Sequence, residues 1–199
     1  GLAAPSANRF GRISPTAAQH VAEELGDAVS LILDGGDCQV GIESTIVDLS
    51  RASPVILRPG AITAEQISLV LGMPIAIHTA KTQDAPRVSG SLASHYAPIT
   101  PLQVLESDAI AQSLQNSVRV AAIVRDDGAL SASLRQLPGV VVLANQPVAY
   151  AHDFYRVLRE LDAGTYDRIL VQALPQTAEW FAVQDRLGRA AYCDSPDSV

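Results

Sequence analysis

The alternation of short apolar runs with amphipathic stretches after residue 98 is the feature that most restricts how this chain can fold. Val118 to Val124 is a nearly continuous apolar run, and Leu102 to Leu105, Val140 to Leu143 and Arg168 to Ala173 are shorter ones. A strand covered on both faces reads in this way, without an alternation of polar and apolar positions. Between these runs, Asp108 to Leu114 and Ala149 to Ala163 read as helices, the second with Phe154, Leu158 and Leu161 at helical spacing, and Ala182 to Ala191 closes the pattern as another. Strands and helices following one another at this spacing imply a parallel sheet with helices packed on it. Residues 99–192 are therefore expected to form a small, doubly wound, Rossmann-like α/β domain, with 193–199 as a tail.

The first part of the chain is a different mixture. Val21, Leu25 and Val29 lie on one side of an amphipathic helix for which Ser14 is the expected N-cap and Pro15 the first helical residue. Ser30 to Asp34, Ser44 to Leu49 and Pro54 to Leu57 read as strands. Thr63 to Leu71 has the Thr-x-x-Gln form of a capping box ahead of a helical repeat. Residues 1–77 are read as part of an α/β domain that the apolar start, Gly1-Leu2-Ala3-Ala4, enters abruptly. Residues 78–98, rich in turn formers and without periodicity, are read as an interdomain linker.

Charge narrows the function. A net charge of −7, from 14 Lys and Arg against 21 Asp and Glu, disfavours the broad basic surface needed to hold a long nucleic acid. No run reaches the roughly 20 apolar residues of a membrane-spanning helix, and no secretory leader is visible, so a cytoplasmic protein is expected. Cys38 and Cys193 are too few and too far apart for a metal or disulfide framework and are expected to be reduced, partly buried thiols. His20, His78, His95 and His152 show no ligand spacing, so no protein-held metal is expected, and His20 is assigned a solvated or capping role.

Three segments concentrate useful groups. Pro5-Ser6-Ala7-Asn8, Gly11 and Ser14-Pro15-Thr16 place hydroxyls and an amide before a helix start, where unpaired N–H groups suit an anion. An ordinary turn and cap would account for them equally. Glu43-Ser44-Thr45 leads into a strand, where α/β proteins commonly bind ligands, although plain strand residues would look the same. Arg58 closes the apolar run Ile56-Leu57, placed either for a phosphate or carboxylate or for a surface ion pair.

Taken in order, PSANRFGRISPT, LILDGG, GIESTIVD, ILRPG and SGSLASHYAP closely resemble the YrdC-type L-threonylcarbamoyladenylate synthase family in its two-domain form. Asp185-Arg186-Leu187 and Arg189-Ala190-Ala191 fit the family's C-terminal domain. The resemblance implies that residues 1–77 are the C-terminal part of a YrdC-like catalytic domain, the α/β fold continuing through the linker into the second domain. It implies formation of threonylcarbamoyl-AMP and pyrophosphate from L-threonine, bicarbonate and ATP, with Mg2+ accompanying the nucleotide. The product would pass to separate proteins that transfer it to tRNA. By motif, Ser6 and Ser44 match threonine contacts; Asn8, Thr16, Arg58 and Tyr96 match ATP contacts. Tyr96, in a segment too irregular for a core, would either close over the nucleotide, with little effect on stability when truncated, or pack the linker against the first domain.

The departures are specific. The family's Lys-x-Arg and Thr-Asp-Thr-x-Tyr-Gly elements do not occur here, and Ser89 stands where many members have proline. Without Lys-x-Arg, this chain alone is expected to be inactive. Two other classes share YrdC-like domains: RNA-binding or ribosome-associated modules, which the acidic charge disfavours, and carbamoyl-transferring maturation factors, which lack the His95-Tyr96-Ala97-Pro98 linker and the domain after it.

Overall fold

The computed structural model describes residues 1, 4–78, 95–117 and 119–191. Most of the predicted linker, 79–94, and Cys193 lie outside the described residues.

The first helix, α1 (Ala18–Leu25), is followed by strands β1 (Ile46–Asp48) and β2 (Val55–Arg58), helix α2 (Ala64–Leu71) and strand β3 (Ala76–Ile77). They make a three-stranded sheet in the order β1-β2-β3, antiparallel on one side of β2 and parallel on the other. The capping box at α2 forms as its spacing predicts. Thr63 Oγ accepts the Gln66 amide at 3.3 Å and the Gln66 side chain accepts the Thr63 amide at 2.8 Å.

Two expectations fail in this part. Helix α1 starts at Ala18 with Ala17 at its N-cap and no side-chain cap. Ser14 has no capping role because its hydroxyl is taken by the Glu43 carboxylate. Ser30 to Asp34 is not a strand: Leu31 and Leu33 are 75% and 84% exposed. An apolar run becomes a strand only when a neighbour takes its backbone N–H and C=O groups. The described sheet ends at β1 and β3, and neither pairs with this run.

The second part follows the predicted alternation closely: β4 (Leu102–Leu105), α3 (Ser107–Asn116), β5 (Val120–Arg125), α4 (Ala132–Arg135), β6 (Val140–Leu143), α5 (Pro147–Asp162), β7 (Arg168–Gln172) and α6 (Phe181–Ala190). The four strands are all parallel, in the order β4-β7-β5-β6. Side chains of a strand alternate between its faces, and here both faces are covered. Ala121 and Ile123 of β5, with Ile169 and Val171 of β7, meet Phe154, Leu158 and Leu161 of α5 and Val183 and Leu187 of α6. Val120, Ala122 and Val124, with Leu170, face Ile110 and Leu114 of α3 and Leu134 of α4. Helices on both faces make the sheet doubly wound, as expected.

The first of these cores also contains Ile13 and Tyr96. Around them, α5 anchors the loop before α1. Arg159 donates to the carbonyls of Ile13 and Ser14 and pairs with Glu24. Asp162 accepts from Arg12 and from the amides of Ile99 and Thr100. Gly41, at φ +81, packs on the α5 backbone so closely that a Cβ would lie 2.4 Å from the Ala151 carbonyl oxygen.

Candidate functional site

The loop Glu43-Ser44-Thr45 enters β1, and Arg58 ends β2 directly across from Ile46. That register brings the buried Arg58 side chain back over the loop. Its Nε donates to the Ser44 carbonyl at 3.0 Å, and a terminal nitrogen lies 3.4 Å from the Ser44 hydroxyl. Gly60, just beyond β2, packs against the same loop, and a Cβ there would meet the Thr45 amide nitrogen at 2.3 Å. Two of the predicted residues, Ser44 and Arg58, are thus brought into contact.

Glu43 carries a dense set of hydrogen bonds. Its carboxylate accepts from the Ser14 hydroxyl, from Tyr155 of α5 at 3.2 Å and from Arg186 Nε of α6 at 2.7 Å, while its carbonyl accepts from a terminal nitrogen of Arg186 at 3.2 Å. Burial alone raises the Glu43 pKa, but the Arg186 charge and the Ser14 and Arg186 hydrogen bonds outweigh it and hold the carboxyl below its ordinary value. Arg186 is wholly buried and also pairs with Asp185 at 2.8 Å. Its guanidinium lies 5.5 Å from the centre of the Tyr96 ring.

Tyr96 corrects the reading of its segment as too irregular for a core. It is 1% exposed, at φ 62, and packs on Tyr155 with ring centres 5.8 Å apart. The segment is held because Ala97 donates to the Gly11 carbonyl at 2.9 Å and pairs with Arg12 in a parallel bridge. Phe10, His95 and Tyr96 follow one another edge to face. Burial, assisted by Arg189, Arg186 and Arg58 and opposed by Glu43, lowers the His95 pKa, so its imidazole is neutral at pH 7. Among the described residues His95 Nδ1 has no hydrogen-bond partner.

The other predicted residues lie nearby in the chain but make different contacts. Asn8 donates to the carbonyls of Arg9 and Arg12 at 3.1 Å each, and its Oδ1 has no partner among the described residues. Thr16 is buried; its amide donates to His20 Nδ1 at 3.1 Å, and its hydroxyl lies 3.3 Å from the same nitrogen. Ser6 is exposed. Cys38, expected to be partly buried, is exposed because it sits in the irregular run before Gly41. Among the described residues no group of three or more His, Cys, Asp or Glu is placed to hold a metal. No helix among them is long and apolar enough to cross a membrane.

A cleft of about 490 Å3 opens elsewhere, between α2 and the starts of α5 and α6, lined by Ile56, Ile62, Val148, Phe181 and Val183 among others. None of the predicted residues and no Lys or Arg lines it.

The sequence reading did not single out Glu43 or Arg186 by role, and it passed over Tyr155. One signal was present: Arg186 is three residues after Val183 and four before Ala190, on the stripe that α6 turns to the core. A charge on such a stripe calls for a buried partner.

Two family models match the chain, one described as threonylcarbamoyl-AMP synthase, C-terminal domain, over residues 62–192, and one described as telomere recombination over residues 1–60. Threonylcarbamoyl-AMP synthases of Pyrococcus abyssi and Bacillus subtilis are 33% and 35% identical, each over 96% of this chain and 57% of their own length. That of Schizosaccharomyces pombe is 32% identical over 96% of the chain and 52% of its length. The crystal structure of P. abyssi Sua5 complexed with L-threonine superposes with a TM-score of 0.79 at 32% identity, over 94% of this chain and 56% of that one. The chain thus spans little more than half the length of each relative.

Proposed function

Because the chain belongs to the threonylcarbamoyl-AMP synthase family, we propose that its residues form part of an L-threonylcarbamoyladenylate synthase, in which an adenylyl group is transferred to threonylcarbamate. In that reaction the threonine amine and bicarbonate condense to a carbamate, losing water and a proton. A carbamate oxygen then attacks the α-phosphate of ATP and pyrophosphate leaves. Mg2+ would travel with the triphosphate.

The observation that carries this reading is the convergence of Ser44 and Arg58 beside the buried Tyr96. The substrates need positive charge for phosphate and neutral donors for the amino acid, in a place with little water. Ser44 and Ser6 are assigned to L-threonine. Arg58, Asn8, Thr16 and Tyr96 are assigned to ATP. Asn8 Oδ1 is buried without a partner among the described residues, and the Thr16 hydroxyl would have to exchange His20 for the nucleotide. The roles of all six are positioning and electrostatic rather than acid–base.

The Lys-x-Arg element is required to complete the phosphate site, so this chain alone is proposed to be inactive. The reading places it in the cytoplasm, upstream of proteins that transfer the threonylcarbamoyl group to tRNA, without stable nucleic-acid binding of its own. The test is mass detection of threonylcarbamoyl-AMP from ATP, threonine and bicarbonate, using a form of the protein that also carries Lys-x-Arg. ATP turnover indifferent to threonine and bicarbonate overturns the reading.

A further inference from the structure

Ser44 is exposed at the loop entering β1, yet the backbone on both sides of it is held. The carbonyl before Ser44, that of Glu43, accepts from Arg186 at 3.2 Å, and the carbonyl of Ser44 itself accepts from Arg58 Nε at 3.0 Å. Gly60 packs on the following amide, that of Thr45. With both flanking peptide planes fixed, only rotation about Cα–Cβ remains to aim the hydroxyl. Arg58 is part of the proposed substrate site. Arg186 is not: it lies on α6, in the other sheet's helical layer, and reaches Ser44 only through Glu43.

Arg186 spans two acceptors of one residue, the Glu43 carboxylate at 2.7 Å and the Glu43 carbonyl at 3.2 Å. A planar fork holds both acceptors in fixed directions, which the freely rotating donors of an ammonium do not. A buried ion pair adds little net stability over packed apolar residues of the same volume, so what such a pair supplies is direction. Here the direction is imposed on one loop. Ser14 and Tyr155 complete the coordination of the Glu43 carboxylate, so the loop is tied at once to the segment before α1, to α5 and to α6.

We infer that Arg186 is a positioning residue for the L-threonine subsite: through the carboxylate and carbonyl of Glu43 it sets the backbone that presents the Ser44 hydroxyl, which makes α6 of the second sheet part of a substrate site built on the first. This rests on the reading of Ser44 as a threonine contact. The doubly wound domain then acts on substrate binding without touching substrate.

The test is steady-state kinetics with a form of the protein that carries Lys-x-Arg, varying L-threonine and ATP separately. Arg186→Lys keeps a buried cation beside the Tyr96 ring, which is assigned to ATP, but loses the fork, and it is expected to raise KM for threonine about tenfold while KM for ATP stays within about twofold. In a Ser44→Ala background, whose own KM for threonine is raised, Arg186→Lys should add little, because both changes act on one contact. If Arg186→Lys does not fold, Glu43→Gln carries the same comparison by calorimetric titration with L-threonine. An unchanged KM for threonine in folded Arg186→Lys, an equal rise for ATP, or full additivity with Ser44→Ala overturns the inference. An unchanged KM for threonine in Ser44→Ala instead overturns the reading of the subsite itself.

Discussion

Gly60 packs against the backbone of Thr45 so tightly that no side chain fits: a Cβ would lie 2.3 Å from the Thr45 nitrogen and 2.6 Å from the Ser44 carbonyl carbon. Both atoms are main chain and cannot swing aside. The glycine is needed for close approach, and the sequence pattern Arg58-Pro59-Gly60 follows from that need.

Gly60→Ala should therefore destabilise the protein by about 1–3 kcal/mol, as overpacking does. It should also push the Glu43–Thr45 loop away from Arg58. A urea melt measures the first effect and L-threonine titration the second. An alanine variant with wild-type stability would show that the loop yields freely.

Tyr96→Ala is expected to cost ~3–5 kcal/mol, the range for emptying a large aromatic site in a core. Of the two roles left open for Tyr96, this loss is the one expected of packing, because the ring is buried against Tyr155 and under Arg186. Thermal unfolding of Tyr96→Ala beside Tyr96→Phe separates packing from the hydroxyl. The phenylalanine variant should retain most of the stability.

Glu43 gives the acid limb of stability a defined origin. Its folded pKa lies below the ordinary 4.5, so its contribution is complete above the unfolded value and is lost as pH falls through the folded one. Glu43→Gln should be less stable at pH 7 by about 3 kcal/mol, since it leaves Arg186 buried without its charge partner. The difference between the two proteins should begin to shrink below pH 4.5 and close only as pH falls through the lower folded value. Denaturant midpoints at pH 7 and across the acid range test this; parallel curves would contradict it.

Thr63→Ala removes the oxygen that caps α2 and should cost ~1 kcal/mol, with Thr63→Ser recovering most of it. The change in denaturant midpoint is the measurement.

Local order was legible wherever a signal is complete within a few residues. The capping box at Thr63 and Gln66 forms as written, and β4 and β6 fall on their predicted residues, because periodicity and capping are properties of neighbouring positions. The doubly wound sheet followed from the alternation of elements, and the motif order pointed to the family. Ser44 and Arg58, singled out separately by motif, come into contact, although nothing local to either states their distance. What the tertiary structure alone decided are the pairings of distant groups. Ser14 turned from cap to Glu43 donor, Leu31 and Leu33 stayed exposed for want of a paired strand, Tyr96 became core, and Arg186 found Glu43 across 143 positions of sequence. A hydroxyl, a run of leucines or an arginine carries no mark of which partner it will meet. Only the closure of the chain into packed layers brings the partner within reach, and burial then makes it costly to leave that partner unpaired.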